Sequence, residues 1–268
     1  MREPQVSVII PAYNCAGYIS KAIDSALDQD VDLEIFVIDD CSSDHLDEVM
    51  EKYRDNPALF YVKNSENLGA AKTRNLGIRL ARGRYVAFLD ADDYWEKDKL
   101  KKQLAAIQRS GTVMCCTARE MMQQDGSSTG LVIPVKEHIT YGELLKQNSI
   151  NCSSVLLEAA VAREFPMEHE DSHEDYIMWL KILERYGEAC GINEPLLKYR
   201  MSNKGKSGSK LKSARMTMKV YRYMNFGMGK SLVCFLSYMF HGIRKYYFGK
   251  KWKVHTHGKD IDSCGSGL

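Results

Sequence analysis

Residues 85–93 read YVAFLDADD, a short β-branched and aromatic run that stops on a cluster of three acids. Such a run is a buried strand, and carboxylates crowded at its end repel one another unless a cation or hydrogen-bond donor compensates. Similar text stands upstream. Leu33 to Ile38 is a second buried run, ending in Asp39-Asp40 and then Cys41-Ser-Ser-Asp44. Val6 to Ile10 is another, running into Pro11-Ala-Tyr-Asn14. Between the runs Ile19, Ala22, Ile23, Ala26 and Leu27 recur at helical spacing. Leu59 to Val62 reads as a strand and Gly69 to Ala81 as a helix; Leu100, Leu104 and Ile107 mark a further helix, and Val113 to Cys116 a fifth strand. Strands alternating with helices over short connections predict an α/β fold with a mostly parallel sheet covered on both faces. Ligands of such sheets bind beyond the carboxyl ends of the strands. The acids therefore lie where chemistry is expected.

At those ends the residue types suggest a nucleotide site. Tyr13 can stack on a base, and Asp39 or Asp40 can accept hydrogen bonds from a base or ribose. Asp90, Asp92 and Asp93 are hard oxygen donors suited to Mg²⁺ or Mn²⁺, which bind through one or two carboxylates plus substrate phosphates. Residues 67–75, NLGAAKTRN, open a helix whose first-turn amides, with Lys72 and Arg74, can meet phosphate oxygens. Asp44 is expected to cap the helix that follows it.

Beyond residue 118 the pattern loosens. Residues 123–130, QQDGSSTG, are a turn-rich excursion, and Tyr176, Trp179, Leu180 and Leu183 then restore helical spacing. Residues 169–173, HEDSH, formally match the HExxH signature of zinc hydrolases. That motif needs a continuous helix to bring both histidines to one face; Pro166 and the dense acids of residues 168–175 argue against one. A sugar nucleotidyltransferase is disfavoured because a Gly-rich N-terminal phosphate loop is absent from the sequence.

Charge is distributed unevenly. The chain has 37 basic and 35 acidic residues in 268, yet from Lys198 to Lys259 there are 16 Lys and Arg and no Asp or Glu. Residues 1–197 consequently carry a net charge of −12. An acidic body with a basic appendage implies an anionic partner. Lys212, Arg215, Lys219 and Arg222 fall on one helical stripe beside Leu211, Ala214, Met218 and Tyr221. Residues 226–248 mix Leu, Phe, Tyr and Met with Lys230, Arg244 and Lys245. Basic, aromatic amphipathic helices of this kind lie in the interface of an anionic bilayer; no nucleic-acid motif accompanies them. The longest apolar stretch, Ser231 to Phe240, is far below the roughly 20 residues that span a bilayer. The eight cysteines show no CxxC pair, and Met1-Arg-Glu-Pro leads straight into a strand-like run. The expectation is a reducing, cytoplasmic compartment with peripheral attachment to the inner face of the cell membrane.

Taken together, SVIIPAYN, VIDDCSSD, NLGAAKTRNLG, YVAFLDADD and HEDYIMWLKI, in that order over residues 5–200, resemble the family-2 glycosyltransferases of GT-A fold. The resemblance implies a metal-dependent, inverting transfer of a hexose or N-acetylhexosamine from a UDP-sugar. The acceptor it implies is a glycan or undecaprenyl-diphosphate-linked sugar in O-antigen or capsule biosynthesis. By the same resemblance Pro11, Ala12, Tyr13, Asn14, Asp39, Asp40, Asn67, Lys72, Arg74, Asp90, Ala91 and Asp92 bind the nucleotide-sugar. Asp92 and Asp93 hold Mn²⁺ or Mg²⁺, Asp175 is the catalytic base, and Glu174 and Trp179 line the acceptor site. Many relatives carry a metal-binding histidine after the Tyr199-Arg200 pair; here the position is Ser202. The expected organisation is a glycosyltransferase domain over 1–200, with a nucleotide-sugar half (1–118) and an acceptor half (119–200), followed by a basic helical tail over 201–268. The rival functions are the zinc hydrolase and a non-catalytic protein that binds a sugar nucleotide or a membrane.

Overall fold

The computed structural model describes residues 3–201 and 210–247, with the side chains of 210–212 and 241–247 left aside. Strands β1 (Val6–Ala12), β2 (Leu33–Asp39), β3 (Leu59–Lys63) and β4 (Tyr85–Phe88) are the runs expected from sequence. They pair in parallel in the order β3-β2-β1-β4. Helices α1 (Ile19–Leu27), α2 (Leu46–Met50) and α3 (Ala70–Leu80) make the connections. In β1 the side chains alternate between two cores. Val6, Val8, Ile10 and Ala12 pack with α1, whereas Ile9 packs with α3. That double burial is why these strands read as unbroken apolar runs.

Beyond β4 the sheet continues through strands that were not evident from sequence, and through one whose start was the expected fifth strand, Val113 to Cys116. A two-residue strand β5 (Tyr94–Trp95) precedes α4 (Lys99–Ser110). Strand β6 (Met114–Met122) is buried throughout and turns at residues 123–127 into β7 (Ser128–Ile133), so the turn-rich excursion is a hairpin. Then come β8 (His138–Thr140), α5 (Tyr141–Lys146, with a Thr140–Glu143 capping box), β9 (Leu156–Glu158) and α6 (Ala159–Glu164). Strand β9 lies antiparallel between β4 and β6. Helix α7 (Glu174–Tyr186) leads into β10 (Glu188–Arg200), parallel to β6 and antiparallel to β5 and β8. The result is the predicted α/β architecture, a mostly parallel sheet with helices on both faces.

Helix α8 (Lys210–Tyr223) buries Met216, Val220 and Tyr221, the last two in the core that holds Phe88 and Trp179. Helix α9 (Met228–Tyr247) follows, and no helix among the described residues is long and apolar enough to cross a membrane. The seven described cysteines are free thiols; Cys264 lies outside the described residues, as does the Gly/Ser/Lys-rich segment 202–209 with Ser202.

Candidate active site at the strand ends

The loops after β1 and β2 are stitched together. The Asn14 backbone N–H donates to Ser42 Oγ (3.0 Å), and its side-chain carbonyl accepts from the Ser43 N–H (2.9 Å). The Ala16 N–H donates to Asp44 Oδ2 (2.8 Å), and the Asp40 N–H to the Ala12 carbonyl (2.8 Å). Asp44 therefore joins two loops instead of capping α2, whose first turn receives no side-chain hydrogen bond from its N-cap His45. Above this seam Tyr13 is 54% exposed, free to meet a planar ligand.

The two acids ending β2 face inward. Asp39 is fully buried and accepts from the Ser42 N–H (2.8 Å) and the Tyr61 hydroxyl (2.9 Å). Asp40 is 4% exposed and accepts from the Leu68 N–H (2.8 Å), the Gly69 N–H (2.8 Å) and Asn64 Nδ2 (2.9 Å). Asn67 Nδ2 donates to the Asp40 carbonyl (3.2 Å). The expectation of Asp40 as a base-binding carboxylate is corrected here: three of its roughly four acceptor positions are taken by the chain, and it organises the entry to α3.

The start of α3 is likewise occupied. Glu170 Oε2 accepts from the Ala71 N–H (2.7 Å), so a protein carboxylate sits where a phosphate was expected. Gly69 makes this approach possible. Its φ is +86°, and a Cβ there would fall 2.7 Å from Glu170 Cδ. Lys72 points to solvent. Arg74 is 7% exposed and bridges two acids, with one terminal nitrogen 2.6 Å from Asp90 Oδ1 and the other 3.1 Å from Glu174 Oε1. Its charge is spent inside the protein rather than offered to a nucleotide. Gly77, two turns along, lets α3 press onto β1, since a Cβ there would lie 2.4 Å from Ile9 Cγ2.

The loop after β4 is held at three points. The Asp90 N–H donates to Ser153 Oγ (3.0 Å); Asp93 Oδ1 accepts the Arg200 N–H (2.9 Å); Arg200 Nε donates to the Asp92 carbonyl (3.0 Å). Ala91 is buried. Asp93 is 1% exposed, and burial together with Asp92 and Asp90 raises its pKa. It anchors the loop, which corrects its assignment as an accessible metal ligand. Asp92 is partly exposed, and its carboxyl is pushed up to about 6 by burial and by Asp90. A divalent cation would relieve that repulsion, and the hard oxygens suit one. Among the described residues no group of three His, Cys, Asp or Glu converges on a point, so a cation would complete its shell with phosphate and water.

Glu174 and Asp175 open α7. Glu174, expected near the acceptor, is 6% exposed and paired to Arg74. Asp175 is partly exposed, and its pKa is raised by burial and by Glu174, with His173 and Arg74 opposing. Trp179 is a core residue and not part of an acceptor surface: it is fully buried, 6.0 Å from the Phe88 ring, with no hydrogen-bond acceptor for Nε1 among the described residues. The HExxH match also fails. His169 has φ +65° outside any helix, and His173 is the N-cap of α7.

Three organising residues were missed: Glu170, Ser153 and Arg200. Each acts on a partner 63 to 108 residues away, which no local pattern signals.

Comparison with known proteins agrees with this architecture. Residues 7–157 match the model of Glycosyl transferase family 2. The chain is 36% identical over 246 residues to the putative teichuronic acid biosynthesis glycosyltransferase TuaG of Bacillus subtilis, covering 91% of this chain and 98% of TuaG. It is 32% identical over 249 residues to WfaP of Escherichia coli, a UDP-Glc:α-D-GlcNAc-diphosphoundecaprenol β-1,3-glucosyltransferase, covering 92% and 98%. Among solved structures, S. aureus TarS 1–349 in complex with UDP-GlcNAc superimposes with a TM-score of 0.69 at 20% identity, over 91% of this chain and 73% of that one. The mannosyltransferase PcManGT of Pyrobaculum calidifontis, in complex with GDP-Man and Mn²⁺, gives 0.66 at 18%, over 88% and 69%. The chain is a glycosyltransferase and belongs to Glycosyl transferase family 2.

Proposed function

We propose that the chain moves a hexose or N-acetylhexosamine from a UDP-sugar to an undecaprenyl-diphosphate-linked sugar during surface-polysaccharide synthesis, with inversion at the anomeric carbon. The observation that carries the reading is the Asp90–Arg74–Glu174 bridge, which ties the acidic strand end to the start of α7. Asp92 and Asp175 each lie within two residues of a bridged acid and within the field of Arg74, which supports reading Asp92 as the cation ligand and Asp175 as the base. Tyr13 offers a face for uracil, flanked by Pro11, Ala12 and Asn14. Asp175 takes the proton from the acceptor hydroxyl as that oxygen bonds to the anomeric carbon and the bond to the UDP oxygen breaks. A raised pKa suits a group that must accept a proton and release it again near neutral pH. Mn²⁺ or Mg²⁺, held by Asp92, would neutralise charge on the leaving diphosphate. Residues 1–118 form the donor half of the site in this reading, and 119–200 the acceptor half.

Helix α9 supports a place of action at an anionic membrane face. Met228, Leu232, Val233, Leu236 and Phe240 are 91%, 55%, 68%, 59% and 65% exposed; the i, i+4 spacing of Met228, Leu232, Leu236 and Phe240 makes one face, and Val233 lies beside it. An exposed apolar face in a segment free of acidic residues fits a lipid surface carrying negative charge.

Calorimetric UDP binding with and without Mn²⁺, followed by a panel of UDP-sugars against a short-chain lipid diphosphate sugar, tests the donor and acceptor. Cation-dependent binding and transfer are expected; absence of UDP binding under all conditions overturns the reading. Flotation with phosphatidylglycerol vesicles tests the membrane face. Leu236→Asp/Phe240→Asp should leave the protein in the soluble fraction, and equal flotation of both forms would refute that face.

A further inference from the structure

Helix α8 grips the segment leading to Asp175 at three levels. Ser213 Oγ lies 3.4 Å from His173 Nε2. Two turns on, Lys219 Nζ donates to Asp171 Oδ2. One turn further, the Tyr223 hydroxyl lies 3.1 Å from both oxygens of Asp171, and its ring stacks on His169 at 3.5 Å and 4°. The gripped segment has no regular secondary structure to hold it. Residues 166–173 precede α7, and His169 takes a left-handed conformation that is uncommon for non-glycine residues. The opposite side of the segment faces the site. Glu170, between the two gripped residues, reaches across to the Ala71 N–H, and Glu174 and Asp175 follow directly.

We propose that this clasp of His169, Asp171, Lys219 and Tyr223 is a positioning device for the transfer reaction, fixing Glu170 on α3 and through it the orientation of Asp175. The proposal rests on Asp175 acting as the base. None of the four clasp residues carries a transferred proton or touches a reacting atom. They act by restricting a segment whose left-handed turn would otherwise relax toward other conformations. Misplacing a base slightly slows chemistry far more than it weakens substrate binding. The spread of the three levels along α8, from Ser213 to Tyr223, makes the clasp a property of that helix rather than of one contact.

The test compares Lys219→Asp, Tyr223→Leu, Tyr223→Phe and the charge exchange Asp171→Lys/Lys219→Asp in the full chain. Lys219→Asp and Tyr223→Leu should each lower kcat by roughly tenfold while the donor KM and UDP affinity stay within about twofold. Tyr223→Phe, which keeps the ring stack, should lie between, and the charge exchange should regain most of the loss. Amide hydrogen exchange reads the same clasp without turnover. Exchange at Ala71 and Ser172 should accelerate in Lys219→Asp and return toward wild type in the exchanged pair. Unchanged kcat and unchanged exchange in both disruptive variants would overturn the proposal, as would equal losses in kcat and UDP affinity with no recovery on exchange. An Asp175→Asn variant that keeps wild-type turnover would instead refute the base assignment, with the exchange data still judging the clasp.

Discussion

Replacing Arg74 by methionine removes the one cation that separates Asp90 from Glu174. The guanidinium is 8% exposed at its side chain, Glu174 is 7% and Asp90 29%, so both ion pairs are largely desolvated and only the Asp90 arm keeps some access to water. Breaking a buried pair by deleting one partner costs about 3–5 kcal/mol, because a charge is left without compensation. Screening of the Asp90 arm argues for the lower end, about 3 kcal/mol. For a domain of this size that is a fall of roughly 6–12 °C in melting temperature. Methionine fills much of the space, so cavity formation adds little. A second substitution separates this account from simple loss of packing. Calorimetric melting measures the deficit, and Glu174→Gln added to Arg74→Met should recover part of it by removing a stranded charge. A deficit below about 1 kcal/mol, or one that Glu174→Gln leaves unchanged or enlarges, would refute the bridge as the element joining strand end to α7.

Asp175→Asn should cut transfer by about 10²–10⁴-fold while sparing UDP binding. In wild type, kcat should fall as pH drops through the raised pKa of Asp175, with the acid limb above the ordinary carboxylate range. Asp92→Asn should weaken Mn²⁺-dependent UDP binding. In wild type the thermal shift given by Mn²⁺ with UDP should diminish below about pH 6, where the Asp92 carboxyl takes up a proton. Lys99 offers a test remote from the site. Its side chain is fully buried, with Nζ 2.7 Å from Gln103 Oε1 and 4.1 Å from the Trp95 ring centroid, and burial pushes its pKa down to about 7. A depressed amine destabilises the fold most at and below that pH, and the penalty fades toward the unfolded value near 10. Lys99→Met should therefore stabilise by on the order of 2 kcal/mol at pH 7, and by much less at pH 10, in urea melts.

What could be read from sequence follows how each element is buried. Strands β1, β2 and β4 are covered on both faces, so their text is continuous and apolar, and α1 and α7 carry core residues at helical spacing. Strand β10 was not evident, because Asn193, Glu194 and Pro195 interrupt it exactly where its register with β6 shifts between Ile192 and Leu197. Strands of two or three residues, such as β5, β8 and β9, have no periodicity to detect. Trp179 misled for a related reason. Its place one turn after Asp175 suggests a shared face, but α7 carries core residues on nearly every side, Trp179 among them. The phosphate-binding reading of α3 erred because the competing anion, Glu170, lies 99 residues beyond the amide it meets.

The adjacent acids carry the remaining argument. Asp92-Asp93 and Glu174-Asp175 look like redundant pairs in sequence, yet in each pair one member is buried and bonded while its neighbour is partly exposed with a raised pKa. The buried members, Asp93 and Glu174, hold the backbone of Arg200 and the side chain of Arg74. Consecutive residues leave the chain in different directions, so an acid pair at an element boundary supplies one anchor and one group that faces the opening. At Glu174-Asp175 the anchor also raises the proton affinity of its neighbour, because two carboxylates this close cannot both ionise freely, whereas at Asp92 burial and Asp90 do so. Replacing an anchor should accordingly damage geometry and pKa together, whereas replacing the exposed member should damage chemistry alone. Glu174→Gln and Asp175→Asn make that comparison directly. The first should lower stability and shift the acid limb of kcat downward, and the second should remove turnover with the melting temperature preserved.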